Sequence, residues 1–322
     1  MNVLLWHVHG SWTDAFVRGR HHYLLPTLPE GGPWGGGRCG RDWPAAEEIA
    51  PERLADTDVD VVILQRTEEF ELAQRWLRRK PGRDVPAVFV EHNTPKGSPH
   101  PLADRDDVLI AHVTHFNEWM WDNGRAPTTV VEHGIVEPAA RYTGELPRAA
   151  VVTNEPVRRW RITGTDLLPR FAEAAPLDVF GMGLDGLGDA LDLGRDRLAC
   201  HGDLPHDRLH PELARRRAYL HVPRWTSLGL SLIEAMQIGM PVVCLAATES
   251  VEAVPADAGV LATRLDLLAD GLRDLMADPE MAARMGKRAR EYALSRFGLA
   301  RFLADWDDIL AATAVAAPAA AR

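Results

Sequence analysis

Apolar runs too short to be buried helices punctuate this chain, and they constrain its fold more than anything else in it. In the first half they are Val3–Val8, Val59–Leu64, Ala87–Val90, Val108–Ala111 and Thr129–Val131. In the second half they are Ala149–Thr153, Leu177–Phe180, Leu198–His201, Ala218–Val222, Pro241–Leu245 and Gly259–Leu261. A run that is apolar at successive positions is covered on both faces, which is the signature of parallel strands. Longer amphipathic stretches separate the runs, as crossover helices do. The expected fold class is therefore α/β, with two doubly wound parallel-sheet (Rossmann-like) domains. A length of 322 residues suits two domains, and a hydrophobic fraction of 46% is enough to bury a core in each.

The expected division is 1–145 for an N-terminal domain and 146–298 for a C-terminal domain. The stretch from Val136 to Arg148 carries Pro, Gly and charge between two strand runs, as linkers do. Residues 29–44, rich in Gly and Pro, read as a long surface loop. Helices are expected over Asp266–Met276, with Leu267, Leu268, Leu272 and Leu275 in helical register, and over Pro279–Tyr292. A closing helix at 299–312 carries Phe302, Trp306, Ile309 and Leu310 as an apolar stripe to pack back on the N-terminal domain. The Ala-rich tail 313–322 is expected to be disordered.

Several classes lose support. A net charge of −10 argues against a nucleic-acid partner. Cys39, Cys200 and Cys244 are far apart and odd in number, so reduced thiols and a cytoplasmic setting are expected. The N-terminus lacks a basic region before its apolar run, and no stretch is long enough for a membrane span. No nucleophile elbow, Walker loop or dinucleotide fingerprint is present.

The chemistry concentrates between Thr226 and Pro241. Ser227-Leu228-Gly229-Leu230 precedes a helix-like run, Ser231 to Ile238, closed by Gly239 and Pro241. Free N–H groups and the helix dipole at that N-terminus favour an anion such as a diphosphate. Glu234, one turn in, offers a carboxylate that can accept two ribose hydroxyls. On chemistry alone this is either a nucleotide site or an ordinary strand–turn–helix with a surface glutamate.

The spacing Gly229-Leu230-x-x-x-Glu234-Ala235-Met236-x-x-Gly239-x-Pro241-Val242 closely resembles the donor-site signature of retaining nucleotide-sugar glycosyltransferases of the glycosyltransferase B fold, family four (group one). The resemblance extends to Asp178-Val179-Phe180-Gly181-x-Gly183, Cys200-His201-Gly202-Asp203-Leu204, Leu275-Met276-x-Asp278-Pro279-Glu280, Arg284-Met285-Gly286 and Arg296-Phe297. It covers about residues 150–310, while the first half matches in layout plus Phe89-Val90-Glu91-His92 and His133-Gly134-Ile135. It implies two domains facing a cleft, an acceptor-binding N-terminal domain and a nucleotide-sugar-binding C-terminal domain. Glu234 would hold the ribose, and the N–H groups of Gly229 and Leu230 would face the phosphates or the sugar. The loop Thr226, Ser227 and Leu228 would complete the donor site. No metal and no cofactor would be required, because cations and helix termini neutralise the leaving diphosphate.

The chain departs from that pattern at two places. Thr226 stands where the family has a first glutamate on the donor sugar. The strand Ala149–Thr153 is followed by Asn154, and Thr163 stands where a phosphate-binding lysine is expected. The nearby cations Arg158 and Arg161 are the expected replacement, since Arg forks pair well with phosphate oxygens.

In the first half, His92 matches the histidine that sits near the transferred sugar in this family and is the candidate catalytic residue. His9, Gly10 and Ser11 follow the first strand and are candidates for the acceptor or sugar side, as is Glu249 after Pro241–Leu245. His7 and His9 share a strand face but have no third partner, so no metal site is expected. Asp56, Asp58 and Asp60 precede their strand and read as a solvated turn. Arg18, Arg20, His21 and His22 read as a solvated basic loop. The expected function is transfer of a hexose-type sugar from a nucleotide diphosphate sugar donor to the hydroxyl of a small-molecule, glycan or lipid-linked acceptor. The alternatives are a degenerate nucleotide-sugar binder or partner subunit, favoured by Thr226 and Thr163, and a nucleotide-sugar epimerase on the same fold.

Overall fold

The computed structural model describes residues 1–97 and 99–316. The chain divides into two compact units, Met1–Val136 together with the chain from Phe297 onward, and Glu137–Arg296. The first unit holds β1 (Asn2–Leu5), β2 (His22–Pro26), β3 (Ala46–Ile49), β4 (Val61–Leu64), β5 (Ala87–Glu91), β6 (Leu109–His112) and β7 (Thr128–Val130). They form one seven-stranded sheet in the order β3-β2-β1-β4-β5-β6-β7. The second unit holds β8 (Leu146–Val152), β9 (Leu177–Phe180), β10 (Leu198–Gly202), β11 (Arg216–His221), β12 (Val242–Leu245) and β13 (Gly259–Ala262). They form a six-stranded sheet in the order β10-β9-β8-β11-β12-β13. Every pairing in both sheets is parallel. Two doubly wound, Rossmann-like units are thus present.

The apolar runs become strands because each of their two faces is covered. Val3 and Leu5 of β1 and Val61 and Ile63 of β4 face one core of the first unit, with Trp12, Phe16, Phe302, Trp306 and Leu310. Leu4, Val62 and Leu64 face the other, with Ala73 and Leu77. The alternation follows from the period of two along a strand. Helix Leu299–Ala316 belongs to the first unit, and its residues Phe302, Trp306 and Leu310, four apart, lie fully inside. The chain leaves and re-enters this unit at adjacent points, where Ile135 N donates to Phe297 O at 3.2 Å.

Several expectations change. The strand Val3–Val8 stops at Leu5, because β2 and β4 pair only with Asn2–Leu5. His7 and His9 therefore lie beyond the strand and share no strand face. The edge strand β3 was not legible as an apolar run, because its sequence Ala46-Glu47-Glu48-Ile49 is half exposed and charge is what an edge tolerates. The Gly- and Pro-rich loop is tied down at its end by Trp43, which is buried and donates Nε1 to Asp14 Oδ1 at 2.7 Å. The basic cluster is not a solvated loop throughout. His21 is buried and its Nε2 lies 2.8 Å from Asp307 Oδ1, while Arg20 reaches the other oxygen at 3.0 Å and His22 begins β2.

The units divide at Val136/Glu137, earlier than residue 145. The intervening segment is held by the second unit: Tyr142 N donates to Ile238 O at 3.0 Å and Thr143 N to Ala214 O at 2.9 Å. Of the tail expected at 313–322, residues 313–316 continue the last helix and 317–322 lie outside the described residues. Cys39, Cys200 and Cys244 are unpaired. Among the described residues no helix is long and apolar enough to cross a membrane.

In the second unit, helix Leu230–Ile238 ends at Gly239, whose φ of 100° lies where a side chain is strained. Helix Pro279–Arg296 crosses directly over it, and a Cβ built on Gly286 would fall 2.0 Å from Gly239 O. This backbone contact fixes the C-terminal end of Leu230–Ile238. Gly286→Ala should gain about 1 kcal/mol of helix propensity yet lose more, because the atom it meets is backbone. The expected net loss is about 1–3 kcal/mol, read by urea denaturation. An unchanged or higher midpoint would contradict this close approach.

Candidate functional site

In the second unit the direction of sheet growth reverses between β8 and β11. The loops after two such strands part towards opposite faces and leave a crevice, where ligands of open α/β sheets bind. The segment after β8 begins with Thr153 and Asn154; the segment after β11 runs through Thr226 to Gly229. The sequence motif thus falls at the switch point.

Gly229 caps helix Leu230–Ile238 in extended conformation, with φ −71° and ψ 120°. A glycine cap offers no side-chain acceptor to the first N–H groups, and no acidic residue occupies the first turn. The positive helix end is therefore not neutralised by its own first turn. Glycine is required here by packing: an added Cβ would lie 2.8 Å from His221 Cε1. His221 ends β11, is buried, and burial pushes its pKa down to about 4. The hydroxyl of Tyr219 donates to Ser231 Oγ at 2.8 Å and pins the first turn to β11. Burial holds the Tyr219 phenol well above its ordinary range. Ser227 and Leu228 are buried, while Thr226 is half-buried.

Glu234 is buried. Two imidazoles of helix His206–Arg215 flank it: His210 Nε2 lies 3.4 Å from one carboxylate oxygen and His206 Nε2 lies 4.0 Å from the other. This pair was missed from sequence. Its i, i+4 spacing was legible, but the partner carboxylate sits on the following helix.

Asn154 is exposed and its Oδ1 accepts from Met182 N at 2.9 Å. Arg158 and Arg161 are exposed. Arg158 pairs with Glu155, its Nε 2.9 Å from Oε1, and this guanidinium holds the Glu155 carboxyl below its usual range. Arg161 lies 3.3 Å from Asp166. Asp166 is gripped more firmly by Arg224, another residue missed from sequence, through contacts of 2.6 and 2.9 Å. Thr163 is buried, its hydroxyl 3.1 Å from Trp160 O and 2.9 Å from Thr165 Oγ1, so it is a structural residue of the loop. Glu155 and Trp160 bracket this turn with φ of 53° and 33°, values that non-glycine residues hold only when the surroundings impose them. Glu249 precedes helix Ser250–Ala253, is buried, and lies 3.4 Å from Arg296.

In the first unit the sheet reverses between β1 and β4. Gln65 follows β4 there, and His92, after the next strand β5, reaches it with Nε2 3.0 Å from Gln65 Oε1. His9 lies against it, ring centroids 4.1 Å apart, Trp12 meets it edge-on at 5.3 Å, and His133 lies 6.4 Å away. Burial, then the neighbouring His9 and His133, drive the His92 pKa well below its ordinary value. Burial likewise lowers His9, and it takes His133 to about 3. Their lowered pKa values leave these three imidazoles uncharged at neutral pH. Gly10 and Ser11 open helix Gly10–Phe16, with His9 as its cap, and do not form a free turn. Gln65, Trp12 and His133 complete the cluster, of which the sequence brought out His9, His92 and, through the resemblance, His133.

Residues 190–292 match the family model of glycosyl transferases group 1, a span that holds His206, His210, Gly229 and Glu234. No curated protein matches the chain. Solved structures match in fold. A sucrose-phosphate synthase from Thermosynechococcus elongatus is 16% identical with a TM-score of 0.73, over 98% of this chain and 100% of that one. Anabaena HepE in complex with UDP-glucose is 16% identical with a TM-score of 0.71, over 97% of this chain and 100% of that one. A glycosyltransferase from Rickettsia africae is 12% identical with a TM-score of 0.71, over 97% of this chain and 98% of that one.

The buried neutral histidines make stability fall with acid. Unfolded His221 takes its proton near 6.5, whereas the folded group waits until about 4. The unfolded state therefore binds more protons in that window. Stability is full above the unfolded value and is lost as pH falls from there towards the folded one. Each such histidine contributes a slope of about 1.4 kcal/mol per pH unit. His221→Asn should make the fall in unfolding free energy between pH ~6 and ~4.5 shallower by about 1 kcal/mol per unit, measured by urea denaturation. An unaltered slope would show that His221 is not held neutral.

Proposed function

We propose that this chain, a glycosyltransferase by its group 1 segment and its glycosyltransferase B fold, moves a sugar from a nucleoside diphosphate donor to a hydroxyl acceptor with retention at the anomeric carbon. The observation that carries the reading is the glycine-capped N-terminus of Leu230–Ile238, without an acidic first turn, at the switch point of the second sheet, with Glu234 one turn inside it. Phosphate oxygens accept from the N–H groups of Leu230 and Ser231, helped by the helix dipole. The ribose hydroxyls donate to Glu234, and Thr226 offers a hydroxyl to the sugar. Arg158 and Arg161 reach the diphosphate by exchanging exposed carboxylate partners for it; such exposed ion pairs are weakly held. A uridine donor is supported by HepE, whose structure contains UDP-glucose.

In the first unit, neutral His92, held by Gln65, hydrogen-bonds a hydroxyl of the transferred sugar, and His9, Gly10 and Ser11 lie on the acceptor side. The anomeric carbon–phosphate bond breaks, the bond to the acceptor oxygen forms on the same face, and the acceptor proton passes to the departing diphosphate. Transfer needs no metal, because the helix terminus and arginines stabilise the leaving charge. Holding the acceptor in place supplies much of the acceleration. A second reading, a nucleotide binder without turnover, is favoured by Thr226, which brings no charge to the sugar. Release of UDP from UDP-glucose in the presence of an acceptor separates the two.

Hydrogen bonds to a charged group are worth about 1.5–3 kcal/mol, so Glu234→Ala should weaken UDP by about 10- to 100-fold in calorimetric titration. Unchanged affinity would remove the ribose role. Replacing Arg158 and Arg161 together by Ala should weaken UDP while leaving uridine binding as it was. Equal effects on both ligands, or none on either, would show that these arginines do not meet the diphosphate.

A further inference from the structure

The strongest feature left unexplained is the pair of imidazoles around Glu234. His206 and His210, one helical turn apart on helix His206–Arg215, place their Nε2 atoms 4.0 and 3.4 Å from the two oxygens of one buried carboxylate. The three ligand atoms all lie within 4.8 Å of one another. His210 Nε2 is buried and makes no hydrogen bond, although Glu234 Oε2 is only 3.4 Å away. A buried ring nitrogen without a hydrogen bond costs free energy unless something else occupies its lone pair.

We propose that His206, His210 and Glu234 form a binding site for a divalent ion of the zinc class, and that this ion competes with the nucleotide donor. Two imidazoles at i, i+4 and a carboxylate from a second helix make a three-ligand set of the kind that binds zinc and leaves a fourth position open. Tetrahedral geometry with metal–ligand bonds of about 2.0–2.1 Å puts ligand atoms about 3.3 Å apart. His210, 3.4 Å from one Glu234 oxygen, already meets this, and His206, exposed and 4.0 Å from the other, has to close in for the three ligand atoms, all within 4.8 Å, to share one ion. Imidazole with carboxylate selects zinc over magnesium or calcium, which prefer all-oxygen shells. An ion held here draws the Glu234 oxygens towards the imidazoles and away from a ribose. Competition rests on the ribose role given to Glu234 above; the ion site itself does not.

The test is calorimetric titration of the full chain with zinc chloride in a non-chelating buffer, for the natural protein, His206→Ala and His210→Asn. His206 is exposed, so its replacement leaves the fold intact. One zinc per chain is expected, weakened by about 100-fold or more in either variant, since even outer partners of a ligand are worth about 10- to 100-fold. Cobalt in place of zinc should give the visible absorption of a tetrahedral nitrogen and oxygen site, without the near-ultraviolet thiolate band that binding at Cys39 or Cys200 would produce. The absence of saturable binding, zinc binding unchanged in His206→Ala, or a thiolate band would each overturn the site. Saturating zinc should weaken UDP at least tenfold in the natural protein and leave UDP binding to His206→Ala unaltered. If zinc binds as described but UDP affinity does not move, competition is overturned. If UDP binds no form of the chain, the nucleotide reading fails, competition falls with it, and the zinc titration still decides the ion site.

Discussion

A parallel sheet in which successive strands are added first on one side and then on the other leaves one place where adjacent strands send their loops to opposite faces. That constraint organises both units. In the first it lies between β1 and β4 and brings His9, Gln65 and His92 together. In the second it lies between β8 and β11 and receives the loop that leads into Leu230–Ile238. Neither place has to be carved out of the fold, because parallel pairing with helical crossovers creates it. The helix N-terminus then adds what the crevice lacks, a fixed partial positive charge that no side chain must be buried to supply.

The same economy shows in how the site is held. Tyr219 pins the first turn through Ser231, Gly229 seats the cap against His221, and Gly239 and Gly286 let a second helix bear on the far end of the same helix. Helix Leu230–Ile238 is thereby held at both ends, with Gly229 and Gly286 at positions where an added Cβ would lie under 3.0 Å from a neighbour. Beside it in the second unit His221 is kept neutral by burial, near 4, and in the first unit burial takes His133 to about 3. Near neutral pH the positive charge available to an anion then comes from backbone and arginine, not from these imidazoles. The His206–His210 pair, close to the Glu234 carboxylate, supplies lone pairs to an ion in the proposed site.

Much of this was legible in the sequence wherever one local rule decided the outcome. The apolar runs became strands, the Gly229–Pro241 motif became a helix between β11 and β12, and the stripe of Phe302, Trp306 and Leu310 became a buried face. What escaped depended on partners distant in the chain. Edge strand β3 looks polar because an edge can be polar. His21 looks like part of a basic loop until Asp307 is beside it. The cation loop looked ready for phosphate, yet Arg158, Arg161 and Arg224 each hold a carboxylate, and the last gave no local sign of its role. His206 and His210 were passed over, because only the fold brings Glu234 of the next helix beside them.

The proposed function requires one placement, a diphosphate at the N-terminus of Leu230–Ile238. A crystal structure of the chain with UDP bound tests it directly. Phosphate density is expected within hydrogen-bond distance of the Leu230 and Ser231 N–H groups, with the ribose against Glu234. Density for the nucleotide elsewhere, with that helix end facing solvent alone, would contradict it.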